Sequence, residues 1–108
     1  MFFMSNSLAK TFQDTVADAA YGKGDLFSMT AVLTPERYHQ LLKELETKED
    51  TLLQEMTFNK AVPVWDFGFC KVRFFRSRDI MQNTVLLIDD SSLNIITITD
   101  GKETDPMP

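Results

Sequence analysis

The chain has 108 residues, 44% hydrophobic and 25% charged, with 11 Lys+Arg against 16 Asp+Glu and a formal net charge of −5. That length holds one hydrophobic core, and the apolar share is that of a folding chain rather than a disordered one. A single cysteine, Cys70, excludes an internal disulfide and a Cys-rich zinc module, and the acidic balance argues against broad attraction to nucleic acid or anionic membrane.

No apolar run approaches the roughly 18–20 residues that span a bilayer. The start, Met1-Phe2-Phe3-Met4, has no basic flank and only four apolar residues, so no secretory signal is expected. These features describe a small cytoplasmic domain with no membrane partner.

The first periodic segment runs from about Ser7 to Tyr21. Leu8, Phe12, Val16 and Ala19/Ala20 recur at steps of three and four, which is one stripe of a helix. Ser7 can cap its start, and Gly22 can adopt the left-handed backbone that ends it. Residues Met1 to Asn6 follow no pattern and read as an apolar arm. After the turn Gly22-Lys23-Gly24-Asp25, the segment Leu26 to Leu33 reads as a strand.

Thr34-Pro35-Glu36 is a helix start: a cap, a proline at the first helical position, and an acid at the positive end of the dipole. Tyr38, Leu41, Leu42, Leu45, Leu52, Leu53 and Met56 fall on roughly one face. Nothing between Glu46 and Thr51 resembles a Gly or Pro stop, so one long helix with a solvated middle turn is expected.

Val62 to Phe75 is β-branched and aromatic and reads as one strand. Thr84 to Asp89 and Leu93 to Thr99 read as two more, around the turn Asp89-Asp90-Ser91-Ser92. Gly101 to Pro108 is a polar tail, expected to be mobile. Together these elements predict an α+β fold: a mainly antiparallel sheet of about four strands with two helices on one face, in the order α-β-α-β-β-β. The division is an arm over 1–6, one domain over 7–100 and the tail over 101–108.

The sharpest candidate site lies in Val64 to Arg78. On a regular strand, Trp65, Phe67, Phe69, Lys71, Arg73 and Phe75 share one face. Cys70 to Arg78 carries four positive charges and no negative one. Aromatic rings continuing into Lys71, Arg73, Arg76 and Arg78 are what a single-strand nucleic-acid platform uses, with rings on bases and cations on phosphates.

Phe67-Gly68-Phe69 shares its centre with the aromatic motif of RNA-recognition sheets. Trp65-Asp66 stands where that motif has a basic residue and glycine, and Val72 where it ends on an aromatic, so no family is assigned. The bland reading is stronger. Aromatics on a strand usually face a helix, and the apolar set changes face near Gly68, as a bulge or bend would produce.

The remaining candidates are weaker. His39 is the only histidine and has no oriented partner visible in sequence. Cys70 sits among apolar residues, where cysteine is an inert small hydrophobe. Asp89-Asp90 has the chemistry of a hard-cation site but also the composition of a hairpin turn. Asp66-Phe67-Gly68 copies a kinase triplet without the accompanying loops.

Nine Phe, six Met and one Trp exceed what so small a core absorbs easily. The favoured reading is a non-catalytic protein-binding or assembly module, self-associating or serving as an accessory or structural subunit of a larger bacterial or viral complex. Met1, Phe2, Phe3 and Met4 are its candidate contact. The alternative is a single-stranded nucleic-acid-binding sheet, and the third is a small enzyme or ligand pocket built from His39, Cys70 and Asp89-Asp90. No cofactor and no metal is expected.

Overall fold

The computed structural model describes residues 7–24, 27–57, 59–68 and 70–99 and, as backbone, 102–104. The N-terminal arm, including Met1, Phe2, Phe3 and Met4, and also Phe69 lie outside the described residues.

Helix α1 spans Leu8–Ala20, with the Ser7 hydroxyl accepting from the Lys10 N–H, and Gly22 follows at φ 77°. Leu8, Ala9, Phe12, Val16 and Ala20 are its buried stripe. Its first turn is also held from outside, because the Ala9 N–H donates to Glu44 Oε1 at 2.8 Å. A carboxylate at a helix N-terminus satisfies an orphan donor and complements the dipole.

Strand β1, Ser28–Leu33, alternates half-buried and buried residues and leads into helix α2, Pro35–Glu44. Thr34 caps α2 as its sequence implies, its hydroxyl accepting from the Arg37 N–H. The long helix does not form. At Leu45 the chain leaves the helix through Glu46 at φ 56°, with Glu46 N–H bonded to Lys43 O and Thr47 N–H to Leu42 O. That pair of bonds is the motif usually completed by glycine, here completed by glutamate. A short 3-10 turn, Glu49–Thr51, then delivers the chain to strand β2, Leu53–Thr57.

The segment expected as one strand from Val62 to Phe75 is instead a hairpin. Strand β3, Lys60–Asp66, and strand β4, Lys71–Arg76, run antiparallel, with Val64 opposite Arg73 and Trp65 opposite Val72. Gly68 at φ 90° makes the reversal; its N–H donates to Asp66 Oδ1, and Phe67 N–H donates to Cys70 O. The change of apolar face seen in the sequence is therefore a chain reversal, not a bulge.

Strands β5, Thr84–Asp89, and β6, Ile95–Thr99, form the expected antiparallel pair, and β7, Lys102–Thr104, pairs with β6 from within the polar tail. Among the described residues the sheet therefore has seven strands where about four were expected, in the order β2-β3-β4-β1-β5-β6-β7. The fold class is α+β. All strand pairs are antiparallel except β1 with β4, the parallel pair that the crossover through α2 requires.

One face of this sheet carries Met29, Ala31, Leu33, Val72, Phe74, Val85, Leu87 and Ile98, packed against Leu8, Phe12 and Val16 of α1 and Tyr38 and Leu41 of α2. Both helices lie on that face. Among the described residues, no helix is long and apolar enough to cross a membrane.

Candidate functional site

Alternation along the strands puts a second set of side chains on the face away from the helices. The register aligns Phe75 with Val32 and Val32 with Leu86, and sets Thr30 beside Ile88 and Ile88 beside Ile95. Phe75, Val32, Leu86 and Ile88 are half-buried there and Ile95 is exposed. No described helix covers them.

Beside this apolar band lies a polar network. Arg73 Nε donates to Glu55 Oε1 on β2, and Arg73 Nη1 donates to Asp90 Oδ2 at 2.8 Å. Asp90 also accepts from Ser28 Oγ and Thr30 Oγ1, each at 2.6 Å. To reach Glu55 the Arg73 side chain crosses β3, so its stem lies over Val64, its own cross-strand partner. Val62 and Val64 are buried although they stand outside the helix-side core. The hydrogen bond to Glu55, and then the two carboxylates' charge, stabilise the Arg73 cation further. The network joins β2, β4, β1 and the end of β5.

The structure does not bring the expected nucleic-acid residues onto one surface. Trp65 and Phe67 are half-buried against the helix-side core, with Phe67 6.1 Å from Phe12 and 5.4 Å from Trp65 between ring centroids. Because of the hairpin, Arg73 faces the opposite side from Trp65. Arg73, Arg76 and Arg78 are paired with carboxylates: Arg73 with Glu55 and Asp90, Arg76 with Glu49, and Arg78 with Glu36. Lys71 is exposed at the start of β4. A stacking platform needs free rings and free cations on one plane. Here Trp65 and Phe67 pack against the core, and three of the four cations are paired.

The groups offered for a catalytic pocket are also apart. Cys70 is buried at the start of β4, near Asp89 and Asp90, whereas His39 lines a cavity with Arg76 at the far end of that strand. Burial, with Asp90 and Asp89 adding, pushes the Cys70 thiol up to about 11, so it is protonated at neutral pH and a poor nucleophile. Asp89 organises a turn: its Oδ1 accepts from Ser91 N–H, Ser91 Oγ and Ser92 N–H. Burial pushes the Asp89 carboxyl up, but these hydrogen bonds outweigh it and hold the group below the usual carboxylate range. Among the described residues, no three His, Cys, Asp or Glu side chains converge as a metal site.

One core residue that the sequence analysis placed only by its helical stripe carries an unusual group. Tyr38 is fully buried, and among the described residues its hydroxyl has no hydrogen-bond partner. Tyr38→Phe removes that group with little change of shape, and is expected to leave stability unchanged or raise it by about 1 kcal/mol. Burial, with Glu49 adding and Arg76 opposing, pushes the phenol up to about 12 from an ordinary 10. The folded state thus keeps a proton that the unfolded chain has lost. The contribution is intact below pH 10 and disappears as pH rises towards 12. Urea melts at pH 8 and pH 11 check this: the wild type should lose more stability between them than Tyr38→Phe does.

No protein-family model, no curated protein and no solved structure matches this chain. The functional reading therefore stands on geometry alone.

Proposed function

We propose that the protein is a non-catalytic binding or assembly module that docks through the uncovered face of its sheet, with a second copy of the chain as the occupant. The observation that carries this is the band Phe75, Val32, Leu86, Ile88 and Ile95. It runs contiguously across β4, β1, β5 and β6 with no described helix over it. Exposed apolar patches of this kind mark contact surfaces, and two sheets stack face to face at about 10 Å when their inner residues interdigitate. The neighbouring Arg73 network supplies a polar rim, which is how interfaces combine an apolar centre with charged borders.

Sedimentation from micromolar to millimolar concentration tests the reading. The wild type is expected to shift from monomer towards dimer, and Ile88→Glu to remain monomeric with unchanged circular dichroism. A wild type that stays monomeric over the whole range rejects self-assembly through this face. Deleting residues 1–6 in the same experiment separates the sheet from the arm as the contact: only loss of association on deletion assigns it to Met1, Phe2, Phe3 and Met4.

A further inference from the structure

A cavity of about 250 Å³ opens beside the start of α2, where β3 begins and β4 ends. Three basic side chains line it, each from a different element. His39 comes from α2, Lys60 from the first residue of β3, and Arg76 from the last residue of β4. Phe75 supplies an aromatic wall beside Val62, and among the described residues no carboxylate lines the cavity.

Among the described residues, one of these three bases, Arg76, has an ion-pair partner, in a chain whose net charge is −5. Arg76 touches Glu49 only at 3.5 Å, the limit of a hydrogen bond, and its guanidinium carbon sits 5.1 Å from the centre of the Tyr38 ring. That stacking holds the guanidinium in place while leaving N–H groups unused. Lys60 and His39 are exposed, and among the described residues neither forms a salt bridge, with Glu36 the carboxylate whose charge reaches His39. All three line the same concave site, beside an apolar wall.

We propose that this cavity binds a small phosphate monoester, with the phosphoryl oxygens between Arg76, Lys60 and His39 and the organic part against Phe75. A guanidinium fork matches the spacing of phosphoryl oxygens, and a lysine adds a compact point charge. The cavity falls just below the range of drug-sized pockets, which gives room for a phosphoryl group carrying one small ring or chain. The site shares Phe75 with the proposed assembly face but takes its basic groups from the α2 end of the strands, so Lys60→Gln tests the cavity and Ile88→Glu the assembly face.

His39 is the chain's only histidine, so its ring-proton NMR signals identify themselves. Titration at fixed pH and ionic strength uses phenyl phosphate and inorganic phosphate as probes. A saturating shift of the His39 signals is expected with phenyl phosphate, at lower concentration than with inorganic phosphate because the aromatic wall meets only the ester. Lys60→Gln and Arg76→Gln are each expected to weaken binding about tenfold, the loss of one charge-assisted contact. Arg76→Gln also disturbs the packing over Tyr38, so Lys60→Gln, at an exposed strand end, is the decisive variant. A shift that never saturates, or unchanged affinity in Lys60→Gln, overturns the site. Equal affinity for the two probes overturns the monoester as its ligand.

Discussion

Phe12→Ala is expected to destabilise the fold by about 4 kcal/mol and to lower its melting temperature by roughly 15–30 °C. Phe12 is fully buried and joins α1 to two other parts of the structure. Its ring stacks on Phe74 at 5.9 Å and meets Phe67 at 6.1 Å. Phe74 continues to Tyr38 at 5.6 Å, and Phe67 to Trp65 at 5.4 Å. Removing the ring leaves a cavity at the junction of both helices, β4 and the β3–β4 turn, where no single neighbour can move to fill it.

For a domain whose total stability is about 5–15 kcal/mol, such a loss leaves a substantial unfolded fraction at physiological temperature. Phe12→Leu retains most of the volume and is expected to cost less than about 1.5 kcal/mol. Urea denaturation followed by the fluorescence of Trp65, the only tryptophan, measures both. A Phe12→Ala protein within 1 kcal/mol of wild type, a margin far below the cost of emptying a well-packed site, contradicts this account of the core.

The second large effect belongs to Arg73. Arg73→Met keeps much of the stem over β3 but deletes the guanidinium that holds Glu55 and Asp90. Hydrogen bonds between charged groups contribute about 1.5–3 kcal/mol when shielded. The side chains here are 29%, 43% and 28% exposed for Arg73, Glu55 and Asp90, so solvent screening lowers that figure. The net cost is expected to be about 2 kcal/mol, falling at high salt.

The loss is also local. The β3–β4 ladder has only three residue pairs, from Val64↔Arg73 to Asp66↔Lys71. Arg73 reaching Glu55 therefore ties the β2–β3 hairpin to the central sheet. Amide exchange in β2 should accelerate in Arg73→Met, whereas exchange in β5 and β6 should not. Glu55→Gln combined with Arg73→Met should cost less than the sum of the two single changes, because each removes the same contact. Strict additivity, or unchanged exchange in β2, counts against the network as the clip of this hairpin.

Several elements were legible in the residues alone because their signals are local. The stripe Leu8, Phe12, Val16 and Ala20 with a serine cap yields α1 within a residue at either end. Thr34-Pro35-Glu36 marks the start of α2, and Val, Leu and Ile around Asp89-Asp90-Ser91-Ser92 mark the β5–β6 hairpin. Two boundaries were missed, for different reasons. Glu46 takes a left-handed backbone that glycine usually supplies, so the end of α2 carries no sequence mark. Asp66 and Gly68 do carry a turn signal, but the apolar residues on both sides of them read as one continuous strand.

The candidate site moved with those boundaries. Once Val62 to Phe75 folds back as a hairpin, Trp65 and Arg73 no longer share a face, and the aromatic and basic row divides between core and open sheet. The convergence of His39, Lys60 and Arg76 has no sequence signal at all, since they are separated by 21 and 16 positions and meet only through strand order.

Charge and the single cysteine determined by themselves that the chain is acidic and has no internal disulfide, and local periodicity determined its α+β class. Composition is a sum and periodicity a nearest-neighbour property, so neither depends on how the chain returns on itself. Which face each strand shows, which charges meet, and whether an arginine faces solvent or a carboxylate depend on register between distant segments. Tertiary structure alone decided those, and it turned a +4 stretch in a chain of net charge −5 into separate ion pairs of Arg73, Arg76 and Arg78, with Lys71 exposed at the start of β4.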